Sequence, residues 1–313
     1  MPRQILASIL LTIALSVTAA CRPRSIYPPE EVRICGSTIQ VNVAGKGRQE
    51  LQRELIDWVD RAGQAVCTYY GRFPVERVAL DVRILDGAGV HSGTTYPEGG
   101  GYIRVSVGED TTAAQLNDDW MLTHEMIHLA FPSMARRHHW IEEGISVYVE
   151  PIARAQAGQL TTERMWHDVM RDMWQGEPES GDRGLDNTHT WGRTYWGGAM
   201  FCLVADIRIR QQTHNQRGLQ DALRGILNAG GNITQDWEIE KALAVGDKAT
   251  GTTVLGDLYR EMGDQPDAVD LTKLWQELGI EREQNGAVRF NASAPLANLR
   301  AAITRPPAEP AGR

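Results

Sequence analysis

Apolar and polar residues alternate from Val32 to Val43 and again from Arg77 to Leu85, a period of two that predicts strands. Between them, Arg48 to about Cys67 sets its apolar residues at helical spacing, which predicts an amphipathic helix. Tyr102 to Val107 alternates once more, behind the turn Gly99-Gly100-Gly101, and reads as a further strand. From Gln115 onward the helical period dominates. Strands first and helices afterwards predict an α+β fold, with a small strand-containing lobe at 32–114 and a mostly helical lobe at 115–303.

The segment His124-Glu125-Met126-Ile127-His128 adds chemistry to one of those helices. Residues four apart share a helical face, so both imidazoles can reach one metal ion. Glu125 sits about 100° further round the helix, close enough to polarise a water without being a ligand. Asn117, Asp118 and Asp119 offer N-caps, and Pro132 stops the helix just past His128. A catalytic zinc needs a third protein ligand, and Trp140 to Glu150 reads as a second helix with carboxylates at its start. A metzincin would place a glycine and a third histidine where Phe131 and Met134 stand, which excludes that class. His138 and His139, beside Arg136 and Arg137, are expected to form a solvated basic loop between the two helices.

The pattern H-E-x-x-H followed by Trp140-Ile141-Glu142-Glu143-Gly144 resembles the gluzincin metallopeptidases, which include thermolysin and the zinc aminopeptidases. The resemblance implies a thermolysin-like core and a zinc ion held by His124, His128 and Glu143, with a shorter connecting loop than the aminopeptidases use. Arg193 to Met200, running into Leu203 to Arg210 and Gly218 to Leu223, is similar to the glycyl aminopeptidase family of gluzincins, as is Ala294 to Arg300. Gly197 replaces that family's lysine, so its glycine preference is not carried over. Zinc in such a site lowers the pKa of its water towards about 7. Glu125 then serves as general base and acid, and by resemblance Tyr195 donates to the oxyanion.

Gluzincins lay their peptide against an exposed edge strand just before the zinc helix, which makes Tyr102 to Val107 the expected substrate strand. The aminopeptidases carry a G-x-M-E-N motif there, whose glutamate grips the substrate's amine. This chain lacks it, and Glu98 is a weak substitute, so amino-terminal trimming and internal cleavage both stay open.

The first twenty residues read as an export signal: a short basic start, an apolar run from Ile5 to Val17, and the processing site Thr18-Ala19-Ala20-Cys21. The site also resembles a bacterial lipobox, so the expectation is a periplasmic or cell-envelope protein, either anchored through a lipidated Cys21 or released after Ala20. A tether at 21–31 and a Pro/Ala tail at 304–313 read as disordered. Of the remaining cysteines, Cys35 and Cys67 are the favoured bridge in an oxidising compartment, and Cys202 reads as a buried thiol. The net charge of −8, with no long basic run, argues against a nucleic-acid partner.

The leading expectation is thus an exported zinc metallopeptidase acting on a peptide or protein substrate. The competing one is an inactive relative that keeps the fold as a binding or scaffold lipoprotein. Retention of Glu125 favours the enzyme, since a scaffold needs no general base. The sequence sets no oligomeric state.

Overall fold

Cys35 and Gly36 both have left-handed backbone, with φ of 49° and 86°, and they break the first alternating run into a hairpin. This differs from the single strand expected over Val32 to Val43; two successive positive φ values are what a tight two-residue hairpin requires. The arms are β1 (Glu30–Ile34) and β2 (Ser37–Ala44), followed by α1 (Gln49–Tyr70), β3 (Arg77–Leu85), β4 (Val90–Tyr96) and β5 (Tyr102–Gly108). The structure, a computed structural model, describes residues 28–284 and 286–306. The expected export signal, Cys21 and most of the tether and tail lie outside the described residues.

The sheet runs in the order β1-β2-β3-β5-β4. β2, β3 and β5 are parallel neighbours, and β1 and β4 flank them antiparallel. Register keeps the apolar residues on one face: Val41 lies beside Leu80 and Leu80 beside Ile103, while Val43, Val82 and Val105 form the next row. These side chains are buried in a core that also takes Leu55 and Val59 of α1. The Cys35–Cys67 disulfide ties the β1–β2 turn to α1.

β5 is therefore not the edge strand that the resemblance implied for Tyr102 to Val107; it is sandwiched between β3 and β4. β4 is the edge. Its sequence, Val-His-Ser-Gly-Thr-Thr-Tyr, has no apolar alternation, because neither face of it lies fully in the core. A strand whose residues face solvent and a cleft lacks the period-two signal.

Helices make up most of the remainder. In order they are α2 (Ala113–Asp118), α3 (Met121–His128), α4 (His139–Gln156), α5 (Thr162–Asp172), α6 (Gly198–Gln212), α7 (Leu219–Asn228), α8 (Ile239–Thr250), α9 (Val254–Met262), α10 (Leu271–Leu278) and α11 (Ala297–Ile303). A small hairpin of β6 (Ile280–Arg282) and β7 (Val288–Phe290) precedes α11. α4 lies at the centre, packed against α1, α3 and α6.

Candidate metal centre

α3 is buried on nearly every side, with Leu122, Met126 and Ile127 inaccessible to solvent, so its orientation is set by the core. Its start is fixed by Asp119, whose Oδ2 accepts from the Leu122 amide at 3.2 Å and from Trp58 Nε1 at 3.1 Å. The start of α4 is anchored by a second buried carboxylate. Asp186 accepts from Trp140 Nε1 at 2.7 Å and from the Tyr259 hydroxyl at 2.6 Å. His138 belongs to this hub and not to a solvated loop as expected: it is 1% exposed, with Nδ1 2.7 Å from Asp186 Oδ1. Arg137 Nε donates to His138 Nε2 at 2.8 Å, so the ring proton sits on Nδ1 and is given to Asp186. The basic composition of the segment concealed this, because the acidic partner lies far away in sequence.

With both helices held, three donors converge. His124 Nε2 lies 3.2 Å from His128 Nε2 and 3.2 Å from Glu143 Oε2, and His128 Nε2 lies 3.5 Å from that oxygen. Among the described residues, this is the trio of histidine, cysteine and carboxylate side chains that could hold a metal. Donors at tetrahedral positions about zinc, with bonds of about 2.0–2.1 Å, stand roughly 3.3–3.4 Å apart, so the residues fit that ion. Glu142 faces elsewhere: its Oε1 accepts from the Met134 amide at 3.3 Å. Among the described residues no hydrogen-bond partner reaches the buried His124 Nδ1, the nitrogen that metal-binding histidines ordinarily direct at an outer acceptor.

Electrostatics prepare the donors. Burial alone would raise Glu143, but the His124, His128 and His139 imidazoles beside it hold its carboxyl far below the usual carboxylate range. Burial pushes His124 down against the pull of Glu143, favouring the neutral, ligating ring. His128 is also desolvated, yet Glu143 carries it upward. His139, half exposed, is pushed up to about 10 by Glu142 and Glu143. Its Nε2 lies 3.2 Å from Glu143 Oε1, which leaves Oε2 for the two metal-facing imidazoles. The i, i+4 spacing of His139 and Glu143 was a legible signal for this contact.

The trio opens into a cleft of about 1040 Å³, lined on one side by Ser92 to Thr95 of β4. Glu125 sits where this wall meets α3, and Thr95 Oγ1 lies 2.6 Å from its Oε2. Across the cleft, a π-helical turn at Arg193–Gly197 presents Tyr195. Burial, then the neighbouring Glu143 carboxylate, pushes Tyr195 up to about 12. So His124, Glu125, His128, Glu143 and Tyr195 all meet in one cleft. Two exposed indoles join them: Trp191, 59% exposed, stacks on Tyr195 at 5.6 Å, and Trp120, 50% exposed, meets His124 edge-on at 5.5 Å. Neither tryptophan, nor Thr95, carries a local signal that separates a cleft residue from packing and turn residues.

No family model matches the chain, and no curated protein does. Among solved structures it is similar to an aminopeptidase N family protein from Idiomarina loihiensis, with a TM-score of 0.57 and 12% identity over 86% of this chain and 53% of that one. An M1 zinc metallopeptidase from Deinococcus radiodurans aligns with a TM-score of 0.48 and 13% identity, over 77% and 53%. The chain spans about half the length of these structures. The first likeness shows the fold: a small strand-containing lobe followed by a mostly helical remainder, as in that aminopeptidase N family protein.

Proposed function

We propose that this chain is a zinc-dependent hydrolase of peptide bonds. The observation that carries the reading is the convergence of His124, His128 and Glu143 within 4.8 Å of one another, with Glu125 and Tyr195 on the same cleft. Zinc held by the trio would polarise a water and the substrate carbonyl. Glu125, buried beside the trio, takes the proton from the attacking water and passes it to the departing amine. The Tyr195 phenol, kept protonated by its surroundings, donates to the oxygen on which charge develops. Trp191 and Trp120 offer apolar faces to substrate side chains beside the reacting bond.

The edge strand favours internal cleavage over amino-terminal trimming. The outer edge of β4 can accept an extended peptide through backbone hydrogen bonds. Glu98 lies beyond the strand in a short turn and does not line the cleft. We further propose export to the cell envelope, supported by the Cys35–Cys67 disulfide, which needs an oxidising compartment, and attachment through Cys21, supported by the lipobox-like Thr18-Ala19-Ala20-Cys21. Fatty-acid labelling that is equal in wild type and Cys21→Ser would reject the anchor.

A peptide-library cleavage profile of zinc-loaded wild type against Glu125→Gln tests the activity. Cuts within peptides that vanish in the variant are expected. Zinc-loaded wild type that cleaves nothing would return the protein to a binding role.

A further inference from the structure

We infer that Thr95 is a positioning residue for Glu125, coupling the general base to the edge strand on which substrate would lie. The inference rests on the peptidase reading above.

Gly93 and Thr95 are two apart on β4 and therefore present the same face of the strand. That face meets Glu125 at both residues. At Gly93 there is no room for a side chain: a Cβ would stand 2.7 Å from Glu125 Cγ and 2.8 Å from its Oε1. At Thr95 the hydroxyl lies 2.6 Å from Glu125 Oε2 and 2.8 Å from the Glu125 carbonyl oxygen. Gly93 thus admits the carboxylate against the strand, and Thr95 fixes its orientation. Among the described residues, Thr95 is the side chain that donates to it.

The Thr95 hydroxyl has one proton and two acceptors in reach. It can remain hydrogen-bonded to Glu125 while that side chain is a carboxylate and after it has taken the proton from water. A general base must also be held within about an ångström of its working position, since a 1 Å misplacement costs roughly 100-fold in rate. Among the described residues, β4 is bonded to β5 along one edge and open along the other. A peptide adding to the open edge would therefore brace the same strand that holds the base.

The test compares zinc-loaded wild type, Thr95→Val and Thr95→Ser. Valine keeps the shape and removes the hydrogen bond; serine restores it. The expected result for Thr95→Val is a kcat roughly 10- to 100-fold lower, KM within about twofold of wild type, full zinc by metal analysis, and a displaced Glu125 carboxylate in its crystal structure. Thr95→Ser should recover kcat to within a few-fold. If the valine variant proves unstable, Thr95→Ala carries the same expectation without added bulk. Wild-type kcat with an unmoved Glu125 in the valine or alanine variant overturns the inference. Should wild type bind zinc yet cleave nothing, the peptidase reading fails on its own. The Glu125 position in the variant crystals then still decides whether Thr95 holds it.

Discussion

Gly144 and Gly198 bring the backbones of α4 and α6 into direct contact. A Cβ on Gly144 would lie 2.3 Å from the carbonyl carbon of Gly198, and one on Gly198 would lie 2.0 Å from the carbonyl oxygen of Trp140. The helix that carries Glu143 and the turn that carries Tyr195 are set at their separation by this pair of absent side chains. Gly144→Ala has only backbone to push against, so the helices must part. We expect a destabilisation of about 1–3 kcal/mol, read as a melting temperature roughly 3–10 °C lower. Turnover should also fall, as Tyr195 moves away from Glu143. An alanine variant that melts and turns over like wild type would show that the crossing has slack.

The three donors and the base predict different failures. Glu143→Ala should lose stoichiometric zinc, and Glu142→Ala should keep it, because Glu142 bonds to the Met134 amide and to His139. Glu125→Gln should retain zinc while kcat falls by about 10²- to 10⁴-fold. Metal analysis beside turnover separates these cases, and zinc loss in the Glu142 variant with retention in the Glu143 variant would reassign the ligand.

Tyr195 makes a prediction about pH. Its pKa lies above the ordinary phenol value, at about 12, so the proton is kept to higher pH and the donor persists. Tyr195→Phe should lower kcat by roughly 10²- to 10³-fold with zinc unchanged. The ratio of wild-type to variant rates should stay constant up to about pH 10, below the raised pKa. A ratio that collapses between pH 8 and 10 would mean that the phenol ionises early.

The disulfide closes a loop across 32 residues of sequence separation. Chain-entropy reasoning gives such a cross-link about 3–4 kcal/mol. Cys67→Ala should therefore unfold at clearly lower denaturant concentration, and wild type under reducing conditions should shift towards it. Cys202, buried among apolar residues of α6 with its thiol pushed well above the usual range, should resist alkylation in the native state of both proteins. Labelling of native Cys202 at pH 8 would contradict that burial.

His124 and His128 were legible because the constraint is local: four residues apart on any helix brings two side chains to one face. Glu143 and Tyr195 were legible through a resemblance of short motifs, and the alternating runs announced β2, β3 and β5 through the burial of one face. β4 carries no such signal, and nothing local marks Gly93 and Thr95 as neighbours of Glu125. The partner of His138 is Asp186, 48 positions away, and no local pattern of charges encodes that pairing.

What the chain determined by itself was the periodicity of its elements and the chemistry that short spacings impose. Strand order, the Gly144–Gly198 crossing and the seating of Glu125 on Thr95 were decided only when distant segments packed, because each depends on which backbone comes to lie beside which.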